Sequence, residues 1–331
     1  MSSRNTVLVI SNQEDLHASA VISHLNEMGV PVFRFNTESL LTDQSLSLSQ
    51  TQEGDSFRLV DFQGSRSIQG DDIGVVYFRR PAPPDIPAQW EGHPQSGAVV
   101  ASEARWFLRW LYAYLDEVPW FAADPLTLDR AACKPSQLRL ARKIGISVPA
   151  TFYGNSLEGI DALASRGTLV VKAIKETGYE SSDVFHAFYT AEVTAADLQI
   201  SKESLGGSIN FLQQRFDKDY ELRVTWVDGK CFAAKIHSQT GPEEARLDWR
   251  RVDWKDLDYS LVELPRALQD KISLYCRTFG ISYGAFDFIV TPQHEYVFLE
   301  CNANGQWLWI DEMTNAGIAH EIAAALRRRL W

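Results

Sequence analysis

The chain reads as a succession of short apolar runs and amphipathic stretches. Residues 6 to 11 (TVLVIS) are almost wholly apolar and predict a buried strand. Residues 14 to 28, with apolar Leu16, Ala20, Leu25 and Met28, predict an amphipathic helix, and 30 to 36 (VPVFRFN) a second strand, so the chain opens β-α-β. The alternating segments SLSLSQ, SFRLVDF and SRSIQ, set apart by Gly and Asp turns, predict a meander; the apolar strand IGVVYF then runs into Arg79, Arg80 and Pro81. An aromatic-rich helix over Val99 to Leu115 and a strand VPWFAA precede Asp124-Pro125, where an N-terminal α/β domain over 1–125 is expected to end.

Beyond it the pattern predicts a helix near 127 to 144, strand VPATFY, a helix near 156 to 165, strand TLVVKAI, a polar turn ETGYESSD and strand VFHAFYT, a small α+β unit over 126–205. A third unit, 206–331, alternates SINFLQQRF, YELRVTWV and KCFAAKIHS, the last two joined by Asp228-Gly229, a strong two-residue hairpin signal. A charged connection, a helix near 264 to 279, another hairpin and a last helix from about 313 complete it. There are no internal repeats or low-complexity tracts.

With 331 residues, 45% hydrophobic and 11% aromatic, the chain has apolar side chains for two or three cores. The five-residue apolar run in MSSRNTVLVIS is too short for a secretory segment, and no stretch approaches the length of a membrane span, so a cytoplasmic protein without a membrane partner is expected. Cys133, Cys231, Cys276 and Cys301 lack CxxC spacing and read as reduced thiols, not as zinc ligands. A net charge of -11 argues against a nucleic-acid partner, and any anion held must meet a local pocket of cations.

The most informative segment is YGAFDFIVTPQHEYVFLECNANGQW, two strands around a Thr-Pro turn. If Val290 pairs with Glu295, then Ala285 opposes Glu300 and Tyr283 opposes Asn302, so Asp287, Glu300 and Asn302 share one face with Asp287 diagonal to Glu300. Phe286, Phe288, Val297, Leu299 and Cys301 would then face a core. Neighbouring carboxylates repel unless a cation or proton separates them, and an oxygen-only donor set with room for phosphate suits Mg²⁺ better than Zn²⁺. A solvated polar face on an edge hairpin is the plainer alternative.

Positive groups complete the pattern. Lys172 interrupts the apolar run TLVVKAI, where a charge is costly without a partner, and a phosphate is one natural partner. Lys134 at a helix start, Arg223 in YELRVTWV, Lys235 in FAAKIHS and Arg250 in LDWRR are further candidates, each of which could equally form an ordinary ion pair. The loop KETGYESSD, with Gly178, Ser181 and Ser182, could lay backbone N–H groups over phosphates. No Walker A sequence and no GxGxxG occurs.

The order of Lys134, Lys172, QQRF, ELRV, DFIV and LECNANG resembles the ATP-grasp superfamily over most of the chain. Within it, AAKIHSQ…LDWR, the RRP motif at Arg79 to Pro81 and NGQWLWID are similar to the microviridin-type peptide maturases, or graspetide synthetases. The resemblance implies an α/β and α+β chain, an ATP-grasp fold behind an N-terminal α/β pre-ATP-grasp domain, using ATP and Mg²⁺. It implies that Lys134 and Lys172 contact the phosphates, helped by Ser181 and Ser182, that Gln214, Arg215 and Phe216 receive the adenine, and that Glu221 binds the ribose. Arg223, Lys235 and Arg250 would surround the γ-phosphate and acceptor carboxylate, and Asp287, Glu300 and Asn302 would hold two Mg²⁺ ions. Asp248 and His237 are candidate general bases.

The implied reaction phosphorylates an Asp or Glu side chain of a ribosomal precursor peptide, and a Ser, Thr or Lys side chain then displaces phosphate to close an ω-ester or ω-amide ring. The leader is expected around residues 185 to 220, with Arg215 meeting an acidic residue, and a homodimer is a family expectation. Three alternatives stay open: a ligase adding free amino acids to a protein tail or small acid, a non-catalytic nucleotide-binding regulator, and an α/β protein whose polar residues are merely solvated.

Overall fold

The computed structural model describes residues 4–90, 92–175, 178–181 and 184–330, with backbone alone for 178–181, 184–187, Ala195 and Lys202. The chain begins with β1 (Thr6–Ser11), α1 (Leu16–Glu27) and β2 (Val32–Asn36), passes through the meander β3 (Gln44–Thr51), β4 (Gly54–Asp61) and β5 (Arg66–Gln69), and returns in β6 (Ile73–Phe78). Helix α2 (Pro94–Tyr114) and the short β7 (Trp120–Phe121) follow. The strands β2-β1-β6-β7 form a parallel sheet, and every residue of β6 is buried, as expected of a parallel strand covered on both faces. Asp15 caps α1 by accepting the Ala18 N–H at 3.0 Å, and its second oxygen pairs with Nε of Arg79 at 3.2 Å, just past the end of β6.

The helix expected over 127 to 144 is two helices, α3 (Pro125–Ala131) and α4 (Lys134–Lys143). Pro135 has no N–H to continue a helix and is tolerated only in a first turn, so Cys133 is extended and Lys134 starts a new helix. Next come β8 (Thr151–Gly154), α5 (Leu157–Ala164), β9 (Leu169–Lys172), β10 (Gly178–Ser181), β11 (Val184–Ala187), β12 (Ala191–Val193), α6 (Ala195–Ile200), α7 (Lys202–Gly206) and β13 (Asn210–Gln214). Much of the expected turn ETGYESSD is strand, because Gly178–Ser181 pairs with Val184–Ala187 in a separate antiparallel ribbon. The strands β12-β9-β13-β8 form an antiparallel sheet over a core of Ile160, Leu163, Leu169, Leu198 and Leu212. Strand β13, expected to open the third unit, pairs in this sheet, since Leu212 is buried in its core.

The remainder contains β14 (Tyr220–Val227), β15 (Lys230–Ile236), β16 (Tyr259–Leu261), α8 (Arg266–Phe279), β17 (Tyr283–Val290), β18 (Tyr296–Asn302), α9 (Leu308–Thr314) and α10 (Ile318–Arg328). Its five antiparallel strands run β16-β15-β14-β17-β18. Asp228 and Gly229 both adopt positive φ, 50° and 107°, as a two-residue hairpin turn requires. Helix α8 turns Tyr275 toward Phe286 and Phe298, with ring centroids 5.2 and 5.6 Å away. The expected terminal helix is two helices: Asn315 and Gly317 take left-handed φ of 51° and 79°, and the Asp311 carboxylate accepts the N–H groups of Gly317, Ile318 and Ala319 at the start of α10. Helix α10 packs back on α1 of the N-terminal unit. Among the described residues no helix is long and apolar enough to cross a membrane.

Candidate functional site

The β17–β18 hairpin departs from the expected register and reaches the expected face by another route. Val290 pairs with Tyr296, not Glu295, because five residues form the connection, with His294 at φ 61°. That one-residue shift alone would set Asp287 opposite Leu299 and turn Glu300 toward the core. A bulge at Leu299 adds the missing residue, so Asp287 lies directly opposite Glu300 and Ala285 opposite Asn302. Phe298, in place of Val297 and Leu299, joins Phe286, Phe288 and Cys301 on the core face. Asp287, Glu300 and Asn302 share the other.

Cations from four other segments converge on this face. Arg223, paired with Asp287 across β14 and β17, donates from Nη1 to both carboxylate oxygens at 2.9 and 2.8 Å and from Nη2 to the Gln306 carbonyl at 2.7 Å. Lys134 forms an ion pair with Glu300. Arg250 grips Asp248 through Nε and Nη2, both at 2.9 Å. Burial opposes ionisation of Glu300, but Lys134, Lys172 and Arg250 hold its carboxyl down to about 2. Burial lowers the Lys172 ammonium to about 8, with Arg250 and Lys134 adding to the effect against Glu300. Burial and the neighbouring Glu300 push Asp287 up despite Arg223. The two carboxylates and one amide oxygen offer hard oxygen donors only, a set that fits Mg²⁺ with positions left for phosphate oxygens. Among the described residues no group of three His, Cys, Asp or Glu side chains forms a denser metal cluster.

Other expected residues fall elsewhere. Lys235 pairs with Leu222, so its side chain leaves the opposite face of the sheet and sits 3.9 Å from the Tyr220 ring centroid; it does not join the site. His237 shares that parity and contacts the Ser260 hydroxyl at 3.0 Å. Asp248 is a poor general base: its carboxylate takes Arg250 twice and the Thr190 N–H at 3.1 Å, and these contacts hold it well below the usual carboxylate range against the effect of burial. Glu221 is buried beneath Lys218 and Ser238. Gln214 ends β13, while Arg215 and Phe216 lie in the connection to β14, where Arg215 pairs with Glu192 at 3.2 Å. Ser181 closes β10, and Ser182 lies outside the described residues.

Two residues have roles that were not expected from the sequence. Gln137, one turn after Lys134 on α4, is buried and bonds both polar groups of the Cys301 backbone: its Nε2 donates to the carbonyl at 2.7 Å and its Oε1 accepts the N–H at 3.0 Å. It thereby fixes β18 between Glu300 and Asn302. Arg79, 1% exposed, donates to the carbonyls of Asn304 and Gly305 at 2.9 and 2.8 Å, bracing the loop that follows Asn302. The helix-start spacing of Lys134 and Gln137, and the RRP motif, were the available signals.

Residues 6–127 match the family model for the MvdD pre-ATP grasp domain. Over 97% of its length the chain is similar to a Chryseobacterium gregarium RiPP-associated ATP-grasp ligase solved with ADP and a leader and core peptide, at 26% identity, TM-score 0.87 and 96% coverage of that chain. It is similar to the macrocyclase MdnC of Microcystis aeruginosa, solved with precursor peptide MdnA, at 25% identity and TM-score 0.83, covering 97% and 99% of the two chains. The ATP-grasp ligase PsnB, solved with minimal precursor, Mg and ADP, shares the fold at 18% identity and TM-score 0.76, with 100% and 98% coverage. No curated protein sequence matches the chain. The chain thus has an ATP-grasp fold behind an MvdD-type pre-ATP-grasp domain and resembles RiPP-associated ATP-grasp ligases along nearly its whole length.

Proposed function

We propose that this protein is an ATP-dependent ligase that phosphorylates Asp or Glu side chains of a ribosomal precursor peptide and closes ω-ester or ω-amide rings with Ser, Thr or Lys. The observation that carries the reading is the directly opposed pair Asp287 and Glu300, with Asn302 beside them and Lys134, Lys172, Arg223 and Arg250 around them. Similarity to ligases solved with ADP and with leader and core peptides supports it.

In this reading Lys134 and Lys172 bind the nucleotide phosphates, the Gln214 to Phe216 segment receives the adenine, and Glu221 faces the ribose. Asp287, Glu300 and Asn302 would hold Mg²⁺, which when bound neutralises phosphate charge. Arg223 and Arg250 orient the acceptor carboxylate and stabilise charge developing on the transferred group, positioning and electrostatics being the main levers of phosphoryl transfer. The units divide at 125 and, since β13 pairs in the central sheet, at the 215–218 connection and not at 205. A homodimer and a cytoplasmic setting complete the proposal. Four free cysteines support the latter, and light scattering tests the former.

Incubation with ATP and a precursor peptide encoded beside the enzyme's gene should lower the peptide mass by one water per ring. An unchanged mass, with ADP release that requires a free amino acid, would replace macrocyclisation by amino-acid ligation.

A further inference from the structure

The β10–β11 ribbon runs into the small sheet through Thr190, which is buried between β11 and β12 and meets the Asp248–Arg250 ion pair. The Thr190 N–H donates to Oδ2 of Asp248 at 3.1 Å, and its carbonyl accepts from Nη2 of Arg251 at 2.6 Å. Arg251 also lies 5.8 Å from the Tyr189 ring centroid.

Asp248 has no capacity to spare. Its Oδ1 accepts from the backbone N–H of Arg250 at 3.2 Å and from Nε at 2.9 Å, while Oδ2 accepts from Nη2 at 2.9 Å and from Thr190. A carboxylate gripped by a planar fork on both oxygens cannot rotate toward one partner without releasing the other. Asp248 thus bonds Arg250 and Thr190 at once, while Arg251 of the same turn holds the Thr190 carbonyl.

We infer that Asp248 is a positioning residue coupling the β10–β11 ribbon to Arg250: the ribbon is docked when Arg250 is turned as seen here, and releasing either one frees the other. The inference rests on the ligase reading only for its catalytic consequence, namely that Asp248 holds Arg250 aimed at the acceptor carboxylate. The coupling itself is a property of the nucleotide-free protein.

Two measurements test it. Hydrogen exchange over residues 184–190 in the nucleotide-free protein should speed up about tenfold or more at the Thr190 amide in Asp248→Asn, and by a similar factor in Arg250→Met, which removes no group bonded to Thr190. In turnover, Asp248→Asn should lower kcat about tenfold or more while KM for ATP moves less than about threefold, a split that mere loss of packing does not produce. Arg250→Lys, which keeps charge but not the fork, should give intermediate exchange and serves if Asp248→Asn does not fold. Wild-type exchange at 184–190 in Arg250→Met would overturn the coupling, and an unchanged kcat in Asp248→Asn would overturn its catalytic consequence. A wild-type enzyme that never turns over ATP would sink the ligase reading instead, leaving the exchange result to decide the coupling by itself.

Discussion

The buried Arg79 lends itself to a quantitative test of how the N-terminal domain braces the site. Its guanidinium faces Asp15 at 3.2 Å and the carbonyls of Asn304 and Gly305 at 2.9 and 2.8 Å, while both side chains of the ion pair are almost fully enclosed. Arg79→Met keeps the aliphatic bulk but strands the Asp15 charge, and breaking a buried pair in this way costs about 3–5 kcal/mol. At about 2 °C per kcal/mol for a chain of this size, the calorimetric midpoint should fall by about 6–10 °C. In the double variant Asp15→Asn, Arg79→Met the stranded charge is gone and an Asn side chain still caps α1. The remaining cost comes mainly from the Asn304 carbonyl, because that of Gly305 keeps the Tyr283 hydroxyl at 3.0 Å; it should lie near 1–3 kcal/mol. Both variants should bind Mg-ATP more weakly, since the loop after Asn302 has lost its brace. A single variant costing less than about 1 kcal/mol, or a double variant no more stable than the single, would refute the reasoning.

Other outcomes follow from the same geometry. Lys235→Met should keep turnover within about twofold, because its ammonium lies across the sheet from Asp287; a loss of a hundredfold or so would return it to the site. Gly305→Ala should destabilise the protein and weaken Mg-ATP binding in calorimetry, since a Cβ there would stand 2.8 Å from Cβ of Ala285 and 2.9 Å from Cβ of Asn302. Gln137→Leu leaves the N–H and carbonyl of Cys301 without their buried partners and should cost about 1–3 kcal/mol in chemical denaturation, with reduced ATP turnover. Lys172, lowered to about 8 chiefly by burial, should gain a proton when phosphate binds; nucleotide affinity should therefore fall as pH rises through about 8, by up to about tenfold per unit, and a flat profile in titration calorimetry would exclude the contact.

The parity argument for Asp287, Glu300 and Asn302 reached the right face through compensating errors, and the residues show why. Val297, Phe298 and Leu299 are all apolar, so alternation is silent about which of them points inward and cannot reveal a bulge. The position of Lys235, by contrast, was legible. A two-residue turn at Asp228-Gly229 sets Val227 against Lys230 and hence Leu222 against Lys235, on the face away from Arg223. The break before Lys134 was legible too, in Pro135. Contacts such as Thr190 with Asp248 and Arg79 with Asn304 join residues far apart in sequence, and no local pattern encodes them.

The segments that carried the narrower resemblance, LDWR and NGQWLWID, are one packing unit in space. Trp249 of the first lies against Trp309 of the second, with ring centroids 4.9 Å apart, and Tyr259 closes on Trp309 at 5.2 Å. Beneath them Ile236, Ala245 and Leu257 form a small core separate from the main one. The excursion between β15 and β16 therefore has its own apolar support, drawn from residues on both sides of the turn bearing Asp248 and Arg250. Arg250 is held by its carboxylate partner, and Trp249 before it anchors the turn on Trp309. Aromatic pairs of this kind add about 0.5–1.5 kcal/mol beyond burial, enough to favour one orientation of the turn by several-fold. The two tryptophans thus anchor the turn that carries the guanidinium, and the two sequence signals belong together because each is half of the indole contact.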